Sequence, residues 1–163
     1  MKIRTIVCLC LLVGAMTVWA EPLRYFTQSA DAPKIKFEYG NNVAAGQYVQ
    51  ADDAKLYYEV YGKGEPILVL HGGGVGCALE MGAFIDRLAV SNKVIVMSSR
   101  GHGRSGIGTN PVTQAQKAAD VKAVLDDAKV DSATLIGFSD GGYSAYDFAA
   151  AYPDRVKKMV AIG

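Results

Sequence analysis

The chain has 163 residues, of which 50% are apolar and 20% charged, with a formal net charge of +1. That length is one domain's worth, and the apolar and charged shares are a globular composition and not a disordered one. A charge so close to balance does not point to nucleic acid or an acidic surface as partner.

Lys2 and Arg4 precede a run of apolar and small residues from Ile6 to Val18, and Val18-Trp19-Ala20 puts small residues at the two positions a signal peptidase reads. This pattern predicts a signal peptide over residues 1–20, cleaved after Ala20, and hence export to the periplasm or beyond. A membrane-spanning helix needs about 20 apolar residues, more than this run supplies, so no stable membrane insertion is expected after cleavage. Removing these residues leaves 143, a charge of −1 and one of the three cysteines, Cys77. A lone thiol forms no internal disulfide, so the core must hold the domain. Cys77 itself reads as a small apolar residue near a helix start.

Residues 21–45, with Pro22, Pro33 and Gly40-Asn41-Asn42, read as an irregular leader lying over the surface. Residues 46–163 are more regular. Gly46–Gln50 and Ala54–Tyr61 are β-rich and flank Asp52-Asp53, which predicts a hairpin. Tyr57, Tyr58 and Tyr61 fall on alternating sheet faces. After a turn at Gly62–Pro66, Ile67–Leu70 is a continuous apolar run, as in a strand buried on both sides. Ala78–Ala89 has helical spacing, Val94–Met97 is a second apolar strand, and Thr113–Ala128 is an amphipathic helix with Ala118, Val121, Val124, Leu125 and Ala128 along one stripe. Ala133–Ile136 is a strand, Gly141–Tyr152 a helix stopped by Pro153, and Val156–Ile162 a further strand. Strands alternating with helices predict an α/β fold, a mostly parallel sheet with helices on both faces.

Two segments carry chemistry. Gly137-Phe138-Ser139-Asp140-Gly141 matches GxSxG between an apolar strand and a helix, a spacing that lets a serine project its Oγ from a sharp, strained turn. The helix that follows aims its positive end at the same place. His71-Gly72-Gly73-Gly74 follows the strand at Ile67–Leu70, where a glycine turn can present a backbone N–H toward the serine. With the N–H of Asp140, it would cradle the oxygen of a tetrahedral intermediate.

Together these residues resemble the α/β-hydrolase family over about Gly46–Gly163. Arg100-Gly101-His102-Gly103-Arg104-Ser105 is similar to that family's Arg-Gly-x-Gly-x-Ser loop, and Tyr152–Val156 to the turn into its sixth strand. Gly-Phe-Ser-Asp-Gly-Gly at 137–142 is similar to the valacyclovir-hydrolase-like and lactonase-like branch. The resemblance implies Ser139 as nucleophile, with Gly73 and Asp140 as oxyanion-hole residues through their backbones. It implies a serine hydrolase acting on a small carboxylic ester, lactone or amide through an acyl-enzyme.

Two departures bear on that expectation. Ser98 stands where members commonly carry an aspartate that ties the loop, which lowers the expected local stability. The family's triad runs Ser, acid, His, yet both histidines, His71 and His102, precede Ser139. As substitutes, His71 falls at a usually structural position, His102 on the neighbouring loop, and Asp140 too close to Ser139 to serve as triad acid. The sequence is therefore expected to be the N-terminal portion of the fold, reaching about its sixth strand, with triad acid and histidine outside it. The alternatives are a non-catalytic member of the fold and a perhydrolase or haloperoxidase-like one. Metal-ligand spacing, phosphate loops and dinucleotide fingerprints are absent, so no cofactor is expected; the resemblance implies a small-molecule substrate, and the balanced charge does not point to nucleic acid.

Overall fold

The computed structural model describes residues 34–74 and 76–163. The predicted signal peptide and the start of the leader lie outside the described residues. The strands are β1 (Gly46–Ala51), β2 (Ala54–Tyr61), β3 (Glu65–Leu70), β4 (Asn92–Met97), β5 (Ala133–Phe138) and β6 (Val156–Ile162). They form one sheet in the order β1-β2-β4-β3-β5-β6. β1 and β2 form an antiparallel hairpin, β2 runs antiparallel to β4, and the β4-β3-β5-β6 pairings are parallel. Asp52, at φ 53° in the two-residue hairpin turn, adopts a left-handed conformation that aspartate tolerates better than most residues.

Alternation along the apolar strands divides the core between the two sheet faces. Leu68 and Leu70 of β3 join Leu56, Tyr58, Ile95 and Leu135 beneath the helices α2 (Gln114–Asp127) and α3 (Asp140–Ala151). Ile67 and Val69 face the other way, with Tyr61, Val94 and Val96, against Ile85 of α1 (Gly82–Leu88). Thr113 caps α2, its Oγ1 accepting from the Gln116 N–H at 3.2 Å.

Two expectations need adjusting. The helix expected over Ala78–Ala89 is a 3-10 turn, Ala78–Met81, followed by α1. At the junction a Cβ on Gly82 would lie 2.9 Å from Ile35 and 3.0 Å from Tyr39, so the leader packs where the helix changes type. The leader therefore does more than lie over the surface. Tyr39 is buried, and its hydroxyl donates to Asp86 at 2.5 Å. Glu59, fully buried on β2, accepts from the Gly40 and Asn42 amides at 2.9 and 2.7 Å, and from the Tyr57 and Tyr61 hydroxyls at 2.9 Å each. Every lone-pair direction of a buried carboxylate needs such a donor, and half of these come from the leader.

Candidate active site

β5 ends at Phe138 and α3 begins at Asp140, leaving Ser139 alone at the turn. Its backbone sits at φ 50°, ψ −117°, a region that costs a non-glycine residue about 1–3 kcal/mol. The turn is held from both sides: the Ser139 N–H donates to the Ile162 carbonyl at 2.7 Å, and the Ser139 carbonyl accepts from the Gly142 N–H at 2.8 Å. Glycine is required on either side by close backbone approach. A Cβ at Gly137 would overlap the Gly141 carbonyl, and one at Gly141 the Leu70 and His71 carbonyls. Ser139 is exposed at this point, as the pentamer predicts.

The turn after β3 comes to the same place. A Cβ on Gly73 would lie 2.9 Å from the Asp140 Cβ, so this loop packs directly on the residue after Ser139. The Gly72 N–H donates to Glu80 Oε1 and the Gly76 N–H to the Gly73 carbonyl, both at 2.9 Å. Asp140 opens α3, where an amide has no acceptor within the helix. Ser139, Gly73 and Asp140, the three residues singled out in the sequence, thus border one cavity of about 550 Å³, together with Leu70, Met97 and His102.

The histidines are engaged elsewhere. His71 is buried; its Nε2 accepts from the Ser99 N–H at 3.0 Å, which leaves Nδ1 as the protonated nitrogen facing the Gly72 carbonyl at 2.6 Å. Burial pushes its pKa below the ordinary value. His102 lines the cavity with Nδ1 3.1 Å from the Arg100 carbonyl. Asp140 binds Lys117 and not a histidine, the Nζ–Oδ1 distance being 2.6 Å. Asp147 is half-buried on α3, and Lys157 pairs with Glu65 at the surface.

The loop after β4 is fixed by charge. The Arg100 guanidinium, almost wholly buried, grips Asp120 of α2 with Nε and Nη2 at 2.9 and 2.7 Å, and reaches Asp53 with Nη1 at 2.6 Å. Its hydrogen bonds to Asp120, above all, raise its pKa further. Amides of Asn110 and Thr109 and the Arg100 guanidinium hold the Asp53 carboxyl well below the usual carboxylate range. Ser105 Oγ bridges the loop to the sheet, donating to the Ser98 carbonyl at 2.7 Å and accepting from the Tyr57 N–H at 2.8 Å. The loop is thereby tied down without an acid at position 98, where Ser98 is buried. Asp53, Lys117 and Asp120 were not singled out from sequence. A signal existed for two of them: Lys117 and Asp120 lie four residues before Val121 and Val124, so each interrupts the apolar stripe of α2 with a charge.

This architecture and elbow define a class. The family model for the alpha/beta hydrolase fold matches residues 65–163, and the chain belongs to that family. Among curated proteins, it is 36% identical over 71% of its length to a protein of Azorhizobium caulinodans that bears the provisional name carbamate hydrolase RutD, covering 43% of that protein. It is 33% identical to a 2-hydroxy-6-oxo-6-phenylhexa-2,4-dienoate hydrolase of Comamonas testosteroni, over 68% of this chain and 40% of the relative. Among solved structures it superposes on Est816, described as an N-acyl homoserine lactone degrading enzyme, with a TM-score of 0.67 at 36% identity; the match covers 71% of this chain and 44% of that one. The esterase RhEst1 from Rhodococcus sp. ECU1013 gives 0.67 at 30% identity, over 72% and 45%. The chain thus spans less than half the length of these relatives.

Proposed function

We propose that this chain carries the nucleophile and oxyanion-hole half of a serine hydrolase acting on a small carboxylic ester, lactone or amide. The observation that carries the reading is Ser139, exposed at a strained strand-to-helix turn and bordering the cavity that Gly73 and Asp140 also line. In the reaction Ser139 Oγ attacks the carbonyl carbon as a base takes its proton, and the amides of Gly73 and Asp140 bind the resulting oxyanion. The bond to the leaving group breaks as that group takes the proton, leaving an acyl-serine. Water then attacks the ester, releasing the acid and restoring the hydroxyl. The base and its acid come from segments outside these 163 residues, a reading supported by the share of the relatives' length that the chain spans. The names of the relatives, an esterase, a lactone-degrading enzyme and a provisionally named carbamate hydrolase, support a small acyl substrate, and residues 1–20 support export.

A second reading, a non-catalytic member of the fold, is favoured by the engagement of His71 with Ser99 and Gly72. Labelling with a fluorophosphonate, followed by peptide mass spectrometry, separates the two. The hydrolase reading expects an adduct on Ser139, formed in full with the longer gene product and lost in Ser139→Ala. Absence of any Ser139 adduct in that longer product would leave the non-catalytic reading standing. Turnover that requires peroxide would point instead to a perhydrolase-like reaction on the same serine.

A further inference from the structure

Asp140 puts a carboxylate beside the place where the proposed mechanism develops negative charge. Its side chain lies against the Gly73 turn: a Cβ on Gly73 would be 2.9 Å from its Cβ, 3.2 Å from its Cγ and 3.4 Å from Oδ2. An acid in the first turn of a helix also offsets the positive helix end that would otherwise favour an anion there. Left alone, that carboxylate, about one-third exposed, would work against both oxyanion-hole amides, an effect that water reduces without cancelling.

The remaining charges on the cavity wall identify what counters it. Arg100 is committed to Asp120 and Asp53. Lys117 is the other cation lining the cavity among the described residues, and its Nζ lies 2.6 Å from Asp140 Oδ1. It reaches there from the first full turn of α2, where its own N–H donates to the Thr113 carbonyl at 3.0 Å. Its side chain is about one-fifth exposed, so the pair is only partly solvated. A partly exposed ion pair of this kind ordinarily adds little to stability, so its main contribution is to the charge of the cavity.

We infer that Lys117 is a positioning residue of the Ser139 site: its ammonium cancels and orients the Asp140 carboxylate, keeping the Gly73 and Asp140 amides receptive to an anion. The inference rests on the hydrolase reading for its purpose, and its electrostatic content can be tested without turnover. Lys117 touches no reacting atom; it acts through Asp140.

The probe is acetate, titrated into Ser139→Ala protein and followed by NMR at the Gly73 and Asp140 amide resonances. In that background Lys117→Met should weaken acetate binding about tenfold, the scale of one uncompensated charge a few ångströms away. Lys117→Arg should hold most of the affinity. Asp140→Asn should bind acetate more tightly than its parent, and Lys117→Met with Asp140→Asn should recover most of the loss. A purely structural role predicts the opposite for the double variant, which would then be as weak as Lys117→Met or weaker. The inference is overturned if Lys117→Met binds within twofold of its parent, if the double variant fails to recover, or if the parent binds no acetate. Fluorophosphonate labelling is an independent readout: an intact acetate pattern without a Ser139 adduct defeats the hydrolase reading alone. An adduct with a flat acetate series defeats this inference alone.

Discussion

Two of the turns that border the cavity are fixed by opposite means. The Ser139 elbow is held by backbone against backbone, with glycines at 137 and 141 because the carbonyls leave no space for a Cβ. The loop over residues 98–108 is held by side-chain charge, with Arg100 clamped between Asp120 and Asp53. Backbone contact has no soft coordinate along which to relax, so damage there is abrupt. A charge clamp weakens by degrees and answers to pH.

Gly141→Val should break this contrast most severely. Its branched side chain meets the Leu70 and His71 carbonyls, and the cost should exceed about 4 kcal/mol, enough to remove the cooperative transition of a marginal domain. Gly142→Ala is the control. Its Cβ would lie 3.5 Å from the Ala161 Cβ, an ordinary contact, and the change should cost under about 1 kcal/mol. Urea unfolding of both distinguishes steric intolerance at one residue from a general sensitivity of the elbow.

Asp120→Ala attacks the other turn. It strips the buried guanidinium of its bidentate partner and leaves Asp53 as the remaining acid, so a loss of about 3 kcal/mol is expected. A change below about 1 kcal/mol in the unfolding free energy from urea titration would mean that Arg100 finds water or another acceptor, and that the loop is not held by charge.

His71 lies between the two turns and should give stability a pH dependence of its own. Burial holds its folded pKa below the ordinary value of 6.5, so the unfolded chain binds the proton more readily. Its contribution is complete above about pH 6.5 and declines as pH falls through the folded value. Asp53, depressed from 3.8, begins to lose its contribution only below that more acidic value. His71→Asn should flatten the stability curve just below pH 6.5, and parallel curves for the two proteins would defeat the assignment.

Ser98→Asp has the smallest expected effect. Ser98 and Arg104 border one small cavity of about 250 Å³, giving a new carboxylate both room and a cation. Because Ser105 already ties this segment to the sheet, the gain should be near 1 kcal/mol, or about 2–4 °C in Tm. A lower melting temperature would show that the buried carboxylate lacks donors.

The elbow was legible because its constraints are local: steric demand writes glycine at fixed offsets from Ser139, and continuous apolar runs mark strands covered on both faces. The clamp was less legible. Asp53 stands 47 residues from Arg100 in a hairpin turn, where an aspartate already has a local reason to occur. Lys117 and Asp120 left a trace as charges within an apolar stripe, but a stripe does not say which partner lies across the gap. The leader was hardest to read. Its irregular backbone hides the regularity of its contacts, which are made with a carboxylate on β2 and an aspartate on α1.

Glu59 has a consequence for where this domain can be cut. A protein shortened to begin at Gly46 would keep every strand and helix among the described residues yet lose the amides of Gly40 and Asn42, half the donors of a fully buried carboxylate. The working border of the folding unit is therefore set by hydrogen-bond demand, several residues upstream of the first strand.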